Sequence, residues 1–96
     1  MTAYVVFIKD GVNDQAEMDQ YNAKAGGSTA GHPVTPLAFY GTNETWEGPT
    51  AEGLVILQFP DIEAARAWYT SPVYEAAKVH RLKGASYRVM VTEGLG

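Results

Sequence analysis

Apolar side chains occupy nearly every position of two short segments of the chain. These segments are Ala3 to Ile8, AYVVFI, and Leu54 to Phe59, LVILQF. A strand with apolar residues on both of its faces is typical of the centre of a sheet, where neither face meets water. The pattern therefore predicts two central strands.

Two weaker patterns indicate strands at the edges of the same sheet. Val34 to Tyr40 contains Pro36, which has no N–H to donate to a neighbouring strand and therefore favours an edge. Ser86 to Thr92 alternates apolar residues with a mixed set, which indicates the other edge. We also expect Glu44 to Glu47 to form the first part of an interrupted strand that resumes at Leu54.

Start and stop signals for two helices follow the second central strand. Asp61 can accept the free N–H groups of a first helical turn, so a helix is predicted to begin at about Ile62. Pro72 ends that helix, because it removes an N–H and disfavours the helical conformation of Ser71. Ser71 then caps a second helix, with Pro72 at its first position and Gly84 at its end.

An earlier helix is indicated by Asp14, which is followed three residues later by Glu17 in the pattern of a capping box. The apolar stripe that this helix turns inward is formed by Met18, Tyr21 and Ala25. Gly26 and the glycine after it end the helix. We expect Ser28 to Pro33 to be a flexible loop of small residues that carries His32.

These elements predict an α+β fold in which residues 1–96 form one domain. Two central strands, two edge strands and right-handed helical connections give a ferredoxin-like βαββαβ arrangement, with the strands of an antiparallel sheet in the order 4-1-3-2. The helices cover one face of this sheet, yet the central strands are apolar on both faces. We therefore predict a homodimer joined through the helix-free face.

The second half of the chain also resembles a known family. The run FPDIEAARAWYTSPVYEAAKVHR from Phe59 to Arg81, with WEG at Trp46 to Gly48 and VTEG at Val91 to Gly94, is similar to a bacterial family catalogued as domain of unknown function 1330. The resemblance covers nearly the whole chain and implies a dimeric α/β barrel of ferredoxin-like protomers. Members of the family often carry an arginine where this chain has Phe39 and Tyr40, which implies a more apolar pocket here.

Composition narrows the range of partners. Hydrophobic residues make up 46% of the chain and charged residues 19%, which favours a folded globule. A net charge of −4 without a basic cluster disfavours nucleic acids and anionic membranes. The N-terminus lacks the basic leader of a signal peptide, and no apolar run is long enough to span a membrane. We expect a soluble, cytoplasmic protein.

Three residues are candidates for proton transfer. His32 lies in the glycine-rich segment Gly26 to Pro33, which we predict to gate a pocket, and it could act as proton acceptor near neutral pH. Tyr21, on the adjacent helical stripe, could donate its hydroxyl proton. Glu47 matches the EG position of the family and could act as acid or base if it is buried. The alternatives are a solvent-exposed loop histidine and an exposed carboxylate.

Aromatic and basic residues are candidates for substrate binding. The aromatic side chains that could form the walls of a cavity for a planar or hydrophobic ligand, or could simply be core, are Tyr40, Trp46, Trp68 and Tyr69. Arg81 and Arg88 could bind a ligand carboxylate. Salt bridges to Glu75 or Glu93 are the alternative.

No motif in the sequence indicates a cofactor. The run GGSTAG lacks the lysine and the preceding strand of a P-loop, the two histidines have no metal-ligand spacing, and there is no GxSxG motif. Similar dimeric α/β barrels include polyketide cyclases, lactone isomerases and cofactorless monooxygenases. By this analogy of fold we predict a cofactor-independent isomerase, cyclase or lyase that transfers a proton on an aromatic or carbonyl-containing substrate. The alternative is a non-catalytic ligand-binding or accessory homodimer.

Overall fold

The computed structural model describes all 96 residues and contains four strands and three α-helices. The strands are β1 (Ala3–Val12), β2 (Thr35–Phe39), β3 (Gly53–Phe59) and β4 (Ala85–Glu93). The helices are α1 (Gln15–Ala25), α2 (Ile62–Tyr69) and α3 (Pro72–Gly84), and a 3-10 turn, Gly26–Thr29, follows α1. The strands form one antiparallel sheet in the order β2-β3-β1-β4. This confirms the predicted ferredoxin-like arrangement.

The two faces of the sheet differ in what covers them. In the central strand β1, Val5 and Phe7 are buried against the helices, whereas Val6 and Ile8, which alternate with them, are only half-buried. The register places Val6 beside Met90 of β4 on the same open face. The central strands are therefore apolar on both faces, as their sequence predicts.

Side-chain caps start all three helices at the predicted places. Asp14, Asp61 and Ser71 each accept a hydrogen bond from a backbone N–H in the first turn of the following helix, at 2.7 to 3.4 Å. Glu17 does not complete a capping box. Its carboxylate instead lies 2.7 Å from Nδ1 of His80, so it joins α1 to α3.

One prediction for the first half of the chain is wrong, and a second is confirmed with different ends. Residues 44–47 form no strand, because the polar segment of residues 41–52, rich in threonine and glycine, makes an irregular connection between β2 and β3. The predicted strand Val34 to Tyr40 is also shorter, since it ends where Tyr40 enters the left-handed region at φ 52°.

The segment predicted as a loop of small residues begins with an ordered turn. Ser28 is buried; its hydroxyl donates to the carbonyl of Ala25 at 2.6 Å and accepts from Nε1 of Trp68 at 3.2 Å. Hydrogen bonds of Ser28 therefore anchor the turn to α1 and to α2.

The hydrophobic core lies between the helices and the covered face of the sheet. Trp68 is its centre, with ring centroids 4.3 Å from Tyr74, 5.7 Å from Phe59 and 6.1 Å from Phe7. None of the helices has the length and apolar character needed to cross a bilayer.

Candidate functional site

A cavity of about 420 Å³ lies between the covered face of the sheet, α1 and the 3-10 turn. Its lining is mostly apolar and aromatic: Phe7, Tyr21, Asn22, Ala25, Gly26, Thr29, Pro36, Phe39, Tyr40, Val55, Leu57, Trp68 and Tyr74. Concave sites of this size and character are typical of small-molecule binding.

Tyrosine hydroxyls meet in pairs beside this cavity, which Tyr21, Tyr40 and Tyr74 line. The hydroxyl oxygens of Tyr21 and Tyr74 are 2.9 Å apart in a buried position, and those of Tyr40 and Tyr87 are 2.6 Å apart. Tyr69 completes the group, which we call the tyrosine cluster; it contains all of the chain's six tyrosines except Tyr4. Polar donors therefore converge on one side of an otherwise apolar space.

Tyr40 reaches Tyr87 from the opposite edge of the sheet, across β3 and β1, because β3 leaves room for its ring. Gly53 of β3 is opposite Lys9 of β1, and Lys9 is opposite Tyr87 of β4. A Cβ at Gly53 would lie 2.6 Å from Cδ1 of Tyr40, so only glycine allows the ring to lie there. The Lys9 ammonium lies 4.8 Å from the centre of the Tyr40 ring and packs over it.

Arg81 of α3 is buried behind the tyrosines that line the cavity, with 3% of its surface exposed. Its guanidinium carbon lies 5.2 Å from the ring centre of Tyr87 and 5.8 Å from that of Phe7. One terminal nitrogen donates to the Tyr69 hydroxyl at 3.2 Å, whereas Nε has no protein acceptor. No carboxylate forms a salt bridge with it.

The buried hydroxyls are held in their neutral, proton-donating form. Burial is the main cause that raises the pKa of Tyr21, Tyr74 and Tyr87, and the nearby charge of Arg81 opposes this only in part. Burial alone would lower the pKa of Arg81. The oxygens of the surrounding tyrosines, Tyr74 first, outweigh it and raise that pKa, so the guanidinium stays charged.

A sequence model of the family described as domain of unknown function, DUF1330, matches residues 2–95. The chain belongs to the DUF1330 family. A comparison with curated protein sequences found no match.

Solved structures similar to this DUF1330 protein share its fold at low sequence identity. A protein of unknown function from Rhodopseudomonas palustris, RPA0582, is 14% identical with a TM-score of 0.77, over 99% of this chain and 83% of that one. A dimeric ferredoxin-like protein of unknown function from Jannaschia sp. CCS1 is 18% identical with a TM-score of 0.72, over 98% and 100%. SnoaB, a cofactor-independent oxygenase from Streptomyces nogalater, is 13% identical with a TM-score of 0.62, over 99% and 93%.

Of the residues predicted to bind substrate, the structure brings some to the cavity of this DUF1330 protein. Tyr40 and Trp68 line it, and Tyr69 and Arg81 lie in the layer behind it. Trp46 instead lies on the irregular connection between β2 and β3, where 87% of its surface is exposed.

Arg88 is exposed on the edge strand β4 and makes two hydrogen bonds to the carboxylate of Asp10, at 3.0 and 3.1 Å. The predicted partner Glu93 does not bind it. Arg88 is therefore already neutralised by a residue of the chain.

The residues predicted for proton transfer lie at three different places. Tyr21 lines the cavity, and Glu47 is exposed to solvent on the connection between β2 and β3. His32 is half-buried and does not line the cavity. Its backbone N–H donates at 3.0 Å to the carbonyl of Thr29, and Thr29 is one of the lining residues.

Sequence analysis did not select Tyr74 and Tyr87. On α3 the buried residues Tyr74, Ala77 and Arg81 follow the spacing i, i+3, i+7, so the inward stripe of the helix was a signal for Tyr74. Tyr87 had no local signal, because its role depends on the sheet order that brings it to Tyr40.

The described chain contains no group of three or more His, Cys, Asp or Glu side chains that could hold a metal ion. A second, smaller cavity of about 170 Å³ lies between α2 and β4, and six of its eight lining residues are hydrophobic.

Proposed function

We propose that this DUF1330 protein is a cofactor-independent enzyme that transfers a proton on a planar, carbonyl-containing small molecule bound in the 420 Å³ cavity. One observation carries the proposal. The wall of an apolar, aromatic cavity holds the buried hydroxyl pair of Tyr21 and Tyr74, whose protons are retained because burial raises both pKa values.

Such a pair can stabilise negative charge that develops on a carbonyl oxygen. When a proton is removed from the carbon next to a carbonyl, the oxygen acquires the charge of an enolate, and neutral donors in a dry site stabilise that charge strongly. In the Tyr21–Tyr74 pair one hydroxyl proton is used between the two oxygens, so the other is free to donate to the substrate. Tyr40 and Trp68 provide flat walls for the rest of the molecule.

The proton acceptor that we propose is His32. It follows the 3-10 turn that borders the cavity, and its backbone is hydrogen-bonded to Thr29 of the cavity wall. A movement of residues 30–33, the part of the segment Gly26 to Pro33 that follows the anchored turn, would bring the imidazole to the cavity on substrate binding. SnoaB, which has the same fold, is described as a cofactor-independent oxygenase, and this supports chemistry without a cofactor on such a scaffold.

The test is exchange of carbon-bound protons with solvent. Ketones, β-dicarbonyl compounds and aromatic carbonyl compounds are first screened by thermal shift, and each ligand is then incubated with the protein in D₂O and followed by NMR. We expect His32→Ala to lower the exchange rate by roughly 100-fold or more without lowering thermal stability, because general acid and base groups contribute about 10²–10⁴. Tyr21→Phe should have a milder effect.

Tyr4→Phe is the matched control, since Tyr4 is the tyrosine outside the cluster and its variant should exchange protons at the wild-type rate. Full activity in His32→Ala would exclude His32 as the base and make Glu47 the next candidate. A loss of thermal stability in His32→Ala would make the residue structural.

One observation favours a second candidate function, binding without catalysis. None of the residues that line the cavity carries a carboxylate or an imidazole, so the lining itself offers no strong base. A ligand that binds the wild-type protein and shows no protein-dependent exchange would support this alternative.

A further inference from the structure

The tyrosine cluster and Arg81 together hold hydrogen-bond donors that are not used within the chain. Each of the pairs Tyr21–Tyr74 and Tyr40–Tyr87 uses one proton internally and keeps one, and the Tyr69 hydroxyl, which accepts from Arg81, keeps its own. The Nε–H of Arg81 adds a buried donor without a protein acceptor. Neither a carboxylate nor a backbone carbonyl bonds to any of these groups in the described chain.

The same place carries a positive charge that the protein does not neutralise. The chain has 11 acidic residues against 7 basic ones, yet no acidic side chain pairs with Arg81. A buried charge without a partner is destabilising, whereas a buried guanidinium with a correctly placed anion forms strong, charge-assisted hydrogen bonds. An anionic oxygen would accept from the unused donors and also balance the charge of Arg81, whereas a neutral carbonyl would do only the first.

We propose that the ligand of this cavity is a planar organic anion, a carboxylate or an enolate. Its charged oxygen accepts from the tyrosine cluster, and its charge is balanced by Arg81. Arg81 itself lies behind Tyr21 and Tyr74, so it acts through their hydroxyls and through the field that it sets up across the cavity. This inference rests on the proposed function and narrows its substrate class from carbonyl compounds in general to acids.

The test compares two probes of the same shape, naphthoate and its neutral amide, naphthamide. Their dissociation constants are measured at neutral pH and low salt, by fluorescence and calorimetry. We expect the wild-type protein to bind naphthoate at least about tenfold more tightly, because charge-assisted hydrogen bonds are roughly twice as strong as neutral ones. The comparison in the wild-type protein needs no variant.

Three variants test whether Arg81 causes the preference for naphthoate over naphthamide. Arg81→Met should abolish the preference for the anion and leave naphthamide binding unchanged, which also shows that the variant is folded. Arg81→Lys should keep most of the preference, because it keeps the charge. Lys83→Gln removes an exposed positive charge from the same helix and should behave like the wild type.

Each other result has a definite meaning. Equal affinity of the wild-type protein for the two probes would overturn the anion preference and leave the proposed function standing. Binding of neither probe would overturn the anion proposal, while the exchange test with ketones and dicarbonyl compounds would still decide the proposed function. A preference that survives in Arg81→Met would overturn the role of Arg81.

Discussion

The two faces of the sheet have similar amino acids in their central strands and opposite roles. On the covered face, Val5, Phe7 and Leu57 are buried in a core that also contains the cavity and the tyrosine cluster. On the open face, Val6 and Ile56 are neighbours in the register of β1 and β3, and no element of the chain lies over them.

This difference assigns stability and the candidate site to one face of the sheet and association to the other. The covered face supplies the stability of the chain and encloses the candidate site, while the open face presents apolar surface that a second copy can bury. Solved structures with this fold are described as dimers, including the Jannaschia protein. We therefore expect substitutions on the covered face to affect folding and ligand binding, and those on the open face to affect association.

The largest effect is expected from Trp68 on the covered face. Trp68→Ala should lower the free energy of unfolding by about 3–5 kcal/mol, because truncating a large buried aromatic side chain leaves a cavity. The measurement is urea denaturation followed by circular dichroism. Trp46→Ala is the matched control, since Trp46 is 87% exposed, and it should change the free energy by less than about 0.5 kcal/mol.

A small decrease in the free energy of unfolding for Trp68→Ala would mean that the core can repack around the missing ring. A large loss for Trp46→Ala would show that this exposed tryptophan is covered in solution, which would point to an interface on the connection between β2 and β3.

Local chemistry allowed much of the fold to be predicted. Asp61, Ser71 and Pro72 specify two helices within a few residues of themselves, and the unbroken apolar run Ala3 to Ile8 specifies a central strand. These signals do not depend on distant contacts. The strand predicted at Glu44 to Glu47 does not form, because this segment is polar and turn-forming and buries no face that would hold it in the sheet.

The site was predicted only in part, because it is assembled from residues that are far apart in the chain. Tyr21 was found from the inward stripe of its helix, which is a local pattern, and Trp68 was selected as an aromatic residue of a predicted helix. The contact between Tyr40 and Tyr87 depends on sheet order, on the small size of Gly53 and on the left-handed backbone of Tyr40. No periodicity in the sequence encodes those three conditions together.

The next effect concerns the open face. Val6→Glu should weaken self-association by roughly 10- to 100-fold, because burying an unpaired carboxylate costs far more than burying valine, and each tenfold change corresponds to about 1.4 kcal/mol. Val6 lies in the central strand, with Ile56 on one side and Met90 on the other, so any partner that covers this face must meet it. Sedimentation or light scattering at several concentrations measures the change.

Ala67→Glu, which places the same charge on an exposed position of α2, should leave the oligomeric state unchanged. If the wild-type protein is a stable monomer at micromolar concentration, the open face is not an interface and the comparison between the two faces fails.

The smallest effect is expected from the loss of one buried tyrosine hydroxyl, measured at alkaline pH, and it tests the description of the covered face. Burial raises the pKa of Tyr21, Tyr74 and Tyr87 in the folded protein above the ordinary value of about 10. Between the unfolded and the folded pKa the unfolded chain loses a proton that the folded chain retains, so the stability that these groups contribute is complete below about pH 10 and falls as the pH rises further. The slope is at most about 1.4 kcal/mol per pH unit for each tyrosine.

Urea denaturation at a series of pH values from neutral to strongly alkaline measures this slope. Tyr21→Phe should reduce it, since the variant has one buried hydroxyl fewer to ionise on unfolding, whereas Trp46→Phe alters an exposed aromatic residue without an ionisable group and should keep the wild-type slope. Ionisation of all six tyrosines near pH 10 in the folded protein, seen as tyrosinate absorbance, would contradict the neutral donor state of the cluster. The hydroxyl pairs would then be open to water, and the cavity would lack the dry environment in which they stabilise an anion.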